Sequence, residues 1–287
     1  MSILQSRRYE ILAVVAIVVA VGAMAKFIFS GDVILPQFFD IAGLRIYSYG
    51  IILAAAILAG YYLARRRAQK FGLTLDQLDS ISLILIVAGF IGARLYHIVT
   101  DFSYYQASWQ SVVYVWNGGL GIYGAIIGGL LGLWWYKRSR LPEYSFLKLL
   151  DYLAPSVLAG QIVGRLGNLF NYELFGVPTN LPWKMFVPAA FRIPPYETSQ
   201  FFHPLFLYEA LAGLLILYIL IKWVNPKPGQ IFWFWLGSYS IVRLFVEMIR
   251  AENTYLFGIP QYALVSTPLI LISLVMLVKS RHEPQKS

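Results

Sequence analysis

The 287-residue chain is 59% hydrophobic and only 13% charged, a composition outside the range of soluble globular domains that indicates an integral membrane protein. Its net charge of +9 would suggest a nucleic-acid partner in a soluble protein, but the basic residues cluster between apolar segments, which indicates membrane topology instead. The absence of cysteine excludes a disulfide framework, a thiolate metal site and a protein thiol nucleophile. The three histidines are far apart in sequence, so we expect no metal site, and we expect no cofactor.

The first apolar run covers residues 11–29. Its length fits either a membrane-spanning helix or the core of a signal peptide with a small-residue cleavage site. A retained helix is favoured because Lys26 and further apolar residues follow directly. We therefore expect residues 1–30 to be an N-terminal transmembrane helix or an uncleaved signal-like segment, and residues 31–287 to form the main membrane domain.

Seven further apolar runs follow, each long enough to cross most of a bilayer. Residues 172–203 interrupt them with a proline-rich stretch that excludes long helices and predicts a small irregular head outside the membrane. The predicted fold class is an all-α polytopic membrane protein with about seven core transmembrane helices, an extra N-terminal helix and this extracytoplasmic head. The seven runs cover residues 46–64, 81–99, 120–136, 147–163, 205–221, 231–249 and 262–278.

The positive charges predict the orientation of these helices. With the N-terminus in the cytoplasm and eight helices alternating, fifteen of the 23 basic residues fall in the inner loops and tails. Cleavage of the first run would leave the other seven helices in the same orientation. Residues 172–203 and the end of the run 147–163 then lie on the outer side.

Residues 164–176 read Gly-Arg-Leu-Gly-Asn-Leu-Phe-Asn-Tyr-Glu-Leu-Phe-Gly, the one place where an apolar run turns into a dense polar cluster. An arginine at bilayer depth, such as Arg165, costs roughly 2.5–3.5 kcal/mol and by default indicates a functional site. Arg165 could instead snorkel to the lipid headgroups. A snorkelling arginine would have no need of the neighbouring Asn168, Asn171 and Glu173.

Two more arginines, Arg94 and Arg243, lie inside apolar runs. Arg243 has Glu247 one turn later and Tyr239 one turn before it on the same helix face. Several guanidinium groups at similar depth suit an anionic ligand such as a phospholipid phosphate, which arginine binds bidentately. The alternative, that Arg243 and Glu247 only neutralise one another between helices, stays open.

At these residues the chain strongly resembles the bacterial prolipoprotein diacylglyceryl transferases. The hallmark of that family is Gly-Arg-x-Gly-Asn-Phe-x-Asn-x-Glu-x-x-Gly, and residues 164–176 match it with Leu169 in place of the phenylalanine. The resemblance extends over about residues 40–280 and leaves the first apolar run unexplained. It also includes Tyr49-Gly50, Gly92-Ala93-Arg94, residues 116–119, His203-Pro204, Tyr208-Glu209, Tyr239, Arg243, Glu247 and Arg250.

The resemblance implies a multi-pass enzyme of the bacterial cytoplasmic membrane with its active site toward the outer face. Its substrates would be phosphatidylglycerol and prolipoprotein signal peptides with a lipobox cysteine, which receives the diacylglyceryl group as a thioether while glycerol phosphate is released. Arg165 and Arg243 would bind the phosphate and the leaving group, with Glu247 orienting Arg243. Further implied site residues are Asn168, Asn171 and Glu173 around the headgroup, Gly164, Gly167 and Gly176 for close backbone approach, and Tyr49, Arg94, Tyr239 and His203 for substrate binding.

The chain departs from some family members at Tyr123, where they have a histidine thought to help deprotonate the thiol. A free thiol has a pKa of about 8.5 and a tyrosine about 10, so an unperturbed tyrosine is a poor base at neutral pH. Three interpretations stay open: a nearby arginine activates Tyr123, His203 acts instead, or arginine alone favours the thiolate. We favour Tyr123 as the base or as a positioning residue.

The main alternative function is a transporter or flippase for an anionic solute or lipid, because buried arginines can line a substrate path. Such a protein is expected to have inverted repeats and broken helices near the midplane. The sequence contains no internal repeat, and its polar cluster lies at one face of the membrane. A purely structural scaffold would leave the polar residues 165–173 without a purpose.

Overall fold

The computed structural model describes residues 22–115, 118–223, 226–252, 255–256 and 258–282. Seven long α-helices contain most of these residues, and three two-stranded antiparallel sheets and several short helical turns are among the other regular elements of this part of the chain. The predicted all-α polytopic fold class is confirmed, with the small sheets as a minor addition. The helices are α1 (Ser48–Arg67), α2 (Leu75–Thr100), α3 (Ile122–Arg140), α4 (Phe146–Asn171), α5 (Leu205–Lys222), α6 (Gln230–Met248) and α7 (Gln261–His282).

Each long helix lies where an apolar run was predicted. The largest differences are that α2 begins at Leu75 rather than at residue 81, and that α4 continues to Asn171 rather than ending at residue 163. Among the described residues, six of the seven helices are long and apolar enough to cross a membrane; the exception is α3, whose last turn is strongly basic. Of the first apolar run, residues 22–29 lie in a helical stretch that extends to residue 30, and residues 11–21 fall outside the described part of the chain.

A local signal explains the early start of α2. The Thr74 hydroxyl accepts the backbone N–H of Gln77 at 3.2 Å, and the Gln77 side chain accepts the backbone N–H of Thr74 at 2.9 Å. This reciprocal capping box satisfies two N–H groups that a helix start otherwise leaves unpaired. Gly72, with φ +76°, ends the preceding short turn in the left-handed conformation. The helix therefore begins at its polar cap and not at its first apolar stretch.

The backbone contacts divide the chain into two compact units. Among the described residues, the first unit comprises those of 22–58, 158–221 and 235–275, and the second comprises those of 59–157, 222–234 and 276–282. In the second unit a cluster of buried apolar side chains forms the core, with Leu78, Ile81, Leu133, Leu149 and Tyr152 among its members.

In the second unit, α2 and α3 pack with their backbones in contact. A Cβ atom on Gly92 would lie 2.9 Å from the Cα of Gly128, and one on Gly128 would overlap the carbonyl group of Ala88. Gly124 lies one turn before Gly128 and faces Gly92 in the same way. This spacing of small residues is the pattern that allows membrane helices to approach closely.

Asp151 of α4 caps the start of α6 within the same unit. Its Oδ2 accepts the backbone N–H of Gly229 at 2.5 Å, and its Oδ1 accepts that of Phe232 at 2.8 Å. These are N–H groups that the first turn of a helix cannot satisfy internally. A carboxylate there is also favoured by the positive end of the helix dipole.

In the first unit, residues 172–203 form an irregular head. They contain the paired strands β3 (Met185–Phe186) and β4 (Phe201–Phe202) and one short turn of 3₁₀-helix at Ala189–Phe191, but no long helix. The expectation that prolines exclude long helices here is confirmed. A cluster of buried apolar side chains forms the core of this head, and Phe206 of α5 completes it. The members from the head are Tyr172, Phe175, Met185, Val187 and Phe202.

Two hairpins flank the long helices of the first unit. The strands β1 (Phe38–Ile41) and β2 (Leu44–Tyr47) pair directly before α1. The strands β5 (Tyr255–Leu256) and β6 (Ile259–Pro260) pair directly before α7. Each hairpin therefore leads directly into a long helix.

Candidate active site

Arg165 lies near the end of α4, with 18% of its side chain exposed. Its Nη2 is 2.5 Å from Oε2 of Glu209 and donates to the Tyr239 hydroxyl at 2.6 Å. Within the described residues, both polar contacts use this one nitrogen, so Nε and Nη1 stay available for a ligand. Arg165 is thus bound by other residues of the protein, which argues against the alternative that it only snorkels to the lipid headgroups.

Glu209, near the start of α5, is the carboxylate that joins the predicted arginines. Its side chain is 1% exposed, with Oε1 in contact with Nη1 of Arg243 and Oε2 in contact with Arg165. The Tyr239 hydroxyl also donates to Oε2, at 3.2 Å. A buried charge is tolerated when charged donors engage it in this way. Sequence reasoning missed this role of Glu209, although a carboxylate inside an otherwise apolar run was a signal that could have found it.

Arg243 also contacts Glu247, the partner expected from the sequence. Its Nη2 lies 3.6 Å from Oε2 of Glu247, and the same oxygen lies 3.6 Å from Nη1 of Arg250. The two residues therefore do more than neutralise one another. In the connected network, three guanidinium groups face two carboxylates, which gives a formal net charge of +1 before any ligand binds.

The polar residues of the 164–176 motif form a second cluster around a carboxylate. Oε1 of Glu173 accepts hydrogen bonds from Nδ2 of Asn168 at 2.9 Å and from Nδ2 of Asn171 at 3.3 Å. The helix ends between them, and Tyr172 and Leu174 adopt φ of 51° and 56°. Non-glycine residues in the left-handed region are strained, and such strain is often found at functional sites. Here the turn brings Glu173 back toward the two amides.

A cavity of about 240 Å³ lies beside this turn. Asn171, Glu173, Arg250 and Glu252 contribute its polar lining, together with apolar side chains of the head. The cavity therefore connects the motif cluster to the arginine network through Arg250.

Two of the three motif glycines allow close packing. A Cβ atom on Gly176 would lie 2.6 Å from the carbonyl oxygen of Ile249, and one on Gly167 would lie 2.7 Å from the ring of Tyr49. At Gly164, by contrast, a Cβ atom would meet no atom of the described residues within 4 Å. Open space and not protein of the described residues faces Gly164, so close approach of a substrate to its backbone stays a prediction.

His203 lies in the head, where its Nδ1 is 3.0 Å from the Tyr208 hydroxyl. Trp183 donates its indole N–H to the same hydroxyl at 2.8 Å. Burial lowers the pKa of His203 below its ordinary value, which favours the neutral imidazole. A neutral imidazole can accept a proton, so this environment is compatible with a base. In the part of the chain that the structure describes, no group of His, Cys, Asp and Glu side chains is arranged to hold a metal ion.

The structure places Arg94 and Tyr123 in the second unit, and all other predicted site residues in the first. Arg94 is buried and donates to the carbonyl oxygens of Val112 at 2.9 Å, Gly118 at 2.7 Å and Gly119 at 2.9 Å, and also to that of Ser111. All three guanidinium nitrogens thus donate to backbone carbonyl groups. Arg94 therefore anchors the loop before α3. A substrate-binding role for Arg94 stays a prediction.

Tyr123 is the second residue of α3 and is partly buried. Its ring packs against that of Tyr96 of α2, with centroids 5.9 Å apart and the planes tilted by 52°. This contact fixes the ring at the start of α3. The role of Tyr123 as base or positioning residue stays a prediction.

Comparison with known proteins bears on the whole chain. The model of the prolipoprotein diacylglyceryl transferase family matches residues 36–279, a range that includes every predicted site residue. Similar relatives occur in Thermotoga petrophila (36% identity over 266 residues, 91% of this chain and 90% of the relative), Acaryochloris marina (39% over 225 residues, 77% and 81%) and Synechocystis (37% over 245 residues, 83% and 86%).

All three relatives are named phosphatidylglycerol–prolipoprotein diacylglyceryl transferase. The transporter alternative finds no support in these comparisons. Since the family model and the relatives each cover most of the sequence, the chain belongs to the prolipoprotein diacylglyceryl transferase family.

Proposed function

We propose that the chain transfers the diacylglyceryl group of phosphatidylglycerol to the lipobox cysteine of prolipoprotein signal peptides. The names of its relatives support the reaction. The structural observation that carries the proposal is the attachment of Arg165 and Arg243 to opposite oxygens of the buried Glu209. One carboxylate thereby contacts two guanidinium groups, and guanidinium groups suit the recognition of a phosphate.

The charge of this network matches the ligand. The phosphodiester of phosphatidylglycerol carries one negative charge, and the network has a formal net charge of +1. When the ester bond breaks, the departing glycerol phosphate gains a second negative charge. Arginines fixed in a partly dry site stabilise that charge more strongly than water-exposed ones would.

The reaction is a substitution at carbon. The cysteine sulfur attacks the glyceryl carbon that bears the phosphate ester, so that a carbon–sulfur bond forms and the carbon–oxygen bond breaks. The bonding electron pair leaves with the phosphate oxygen, and the thiol proton passes to a base or to solvent. In this proposal Arg165 and Arg243 bind the phosphate, while Asn168, Asn171 and Glu173 hold the glycerol of the headgroup.

The base is assigned by comparing two variants. Tyr123→Phe removes the hydroxyl at the position where some family members have histidine, and His203→Ala removes the imidazole of the head. A large loss of rate in one variant alone identifies the base. If both variants keep the full rate, the arginines alone favour the thiolate.

The enzyme belongs to a bacterial membrane family and has six apolar helices among its described residues. We further propose that it resides in the cytoplasmic membrane with the arginine network toward the outer face. The basic segment 137–148 reaches the start of α4, and Arg165 lies near the other end of that helix. The positive-inside rule then puts Arg165 on the outer side.

The test uses purified protein in detergent with phosphatidylglycerol and a synthetic lipobox peptide, and it measures the release of glycerol phosphate. We expect release that requires the peptide cysteine. Arg165→Ala and Arg243→Ala should abolish it without preventing membrane insertion, whereas Arg45→Ala, at an exposed arginine, should keep nearly the full rate. Release without the cysteine, or no release from folded protein with several anionic lipids, would contradict the proposal.

A further inference from the structure

Tyr262 is a residue for which the proposed chemistry has no role so far. It is the second residue of α7, which begins directly after Pro260, the last residue of β6. The turn between β5 and β6 contains Gly258 with φ +76°. The paired strands thus lead directly into the turn of α7 that carries Tyr262.

The ring of Tyr262 faces two arginines of the network. The guanidinium carbon of Arg243 lies 4.6 Å from the ring centroid, and that of Arg250 lies 5.2 Å from it. Both distances are within the reach of a cation–π interaction, which is stronger where the partners are shielded from water. Both arginine side chains are largely buried. One ring therefore attracts two cations at once.

Arg243 and Arg250 share Glu247 as a partner, and Arg243 also contacts Glu209. Arg250 lies beyond the last residue of α6, in a segment that pairs with Gly176 through its backbone, so the ring of Tyr262 joins this segment to Arg243 of the helix. Two like charges near one another also repel. Glu247 and the electron-rich face of Tyr262 both offset that repulsion.

We infer that Tyr262 is a positioning residue that holds Arg250 beside Arg243, so that an anionic phosphate headgroup meets both guanidinium groups. The inference rests on the proposed function, because it deepens the role of the same site. Tyr262 itself acts through the arginines. Loss of the ring should therefore weaken recognition of phosphatidylglycerol and leave recognition of the peptide unchanged.

A purely structural role, in which Tyr262 only packs at the start of α7, makes a different prediction. Packing depends on the size of the ring, whereas a cation–π interaction depends on its electron density. Progressive fluorination of a phenylalanine ring lowers the electron density with little change in size. A fluorinated series therefore separates the two roles.

The experiment replaces Tyr262 with phenylalanine, with mono-, di- and trifluorophenylalanine, and with leucine, in the full chain in detergent. Two readouts are taken: kcat/KM for phosphatidylglycerol, and the rise in melting temperature caused by phosphatidylglycerol relative to phosphatidylcholine. We expect Tyr262→Phe to stay within about twofold of the wild type, and Tyr262→Leu to lose about tenfold in kcat/KM. Both readouts should decline steadily along the fluorinated series, while KM for the peptide stays constant.

The same substitutions at Tyr218, an exposed tyrosine on α5, provide the matched control and should change neither readout. A flat fluorinated series in both readouts, or an equal loss with Tyr218, overturns the inference. If the wild type shows no turnover but the lipid-induced stabilisation still declines along the series, the inference stands and the proposed reaction falls. The two failures are thus distinguishable.

Discussion

At the residue scale, Glu209 is the point on which the arginine network depends. Glu209→Gln keeps the shape of the side chain but removes its charge, and it leaves Arg165 and Arg243 without their common partner. Removing one partner of a buried ion pair costs about 3–5 kcal/mol, because the remaining charges stay buried. We expect a fall of about 100-fold in glycerol phosphate release, together with a lower melting temperature in detergent.

The control for this prediction is Glu143→Gln, which removes an exposed carboxylate from the segment between α3 and α4. It should leave both the rate and the melting temperature unchanged. A Glu209→Gln enzyme with more than half of the wild-type rate would show that Arg165 and Arg243 need no carboxylate between them.

The lowered pKa of His203 leads to a second prediction at this scale. Because burial disfavours the charged imidazole, the unfolded chain takes up this proton at a higher pH than the folded protein. Stability is therefore unaffected above the ordinary histidine pKa of about 6.5 and is lost as the pH falls through the lower pKa of the folded state. His203→Gln removes this effect.

The measurement is the difference between the melting temperatures at pH 7.5 and pH 5.0. We expect a smaller difference in His203→Gln than in the wild type. Equal differences would mean that the pKa of His203 is the same in the folded and the unfolded protein.

The residues of the site differ in how well the sequence could predict them. Arg165 and Arg243 were found because a charge in an apolar run is a strong signal by itself. The contacts of Glu209 and Tyr262 depend on which faces of distant helices meet, and periodicity along one helix does not contain that information. The surroundings of Gly164 were not predictable either, since a glycine in a motif does not reveal whether protein or open space faces it.

At the element scale, the packing of α2 against α3 depends on glycines. Gly128→Ala would put a Cβ atom into the carbonyl group of Ala88, so the two backbones must move apart. Overpacking of this kind costs about 1–3 kcal/mol, which corresponds to a fall of about 5 °C in melting temperature. Thermal unfolding in detergent measures it.

Gly50→Ala is the matched control for this prediction. Gly50 also lies in a long helix, α1, but a Cβ atom there would meet no atom of the described residues within 4 Å. Alanine is favoured over glycine in a helix, so the melting temperature should be equal or slightly higher. Similar falls in both variants would show that the close contact at Gly128 does not explain the effect.

The positions of the helices were predictable because a run of about twenty apolar residues has few alternatives in a bilayer. Their ends were less predictable. The end of α4 lies within the 164–176 motif, where Arg165 and Asn168 interrupt the apolar pattern but not the helical backbone. Polar side chains that bind one another or a ligand can continue a helix beyond the point at which hydropathy stops.

At the scale of the whole molecule, the proposed orientation of the site in the membrane rests on the basic residues. Fifteen of the 23 lie in segments that the predicted alternation of eight helices puts on one side. The lipobox cysteine of a precursor emerges on the opposite side of the cytoplasmic membrane in the proposed reaction. A site on the cytoplasmic side would therefore leave the arginine network without its second substrate.

The absence of cysteine from the chain makes this orientation directly measurable. Thr198→Cys introduces one thiol at an exposed position of the head, and Ser139→Cys introduces one at an exposed position in the basic last turn of α3. In intact spheroplasts, a membrane-impermeant maleimide should label Thr198→Cys, and it should label Ser139→Cys only after permeabilisation, because the positive-inside rule retains the basic segment in the cytoplasm. Both variants should keep glycerol phosphate release, which shows that the labelled protein is folded. The reverse labelling pattern would put the head in the cytoplasm, and the proposed reaction would then need a precursor thiol on the wrong side of the membrane.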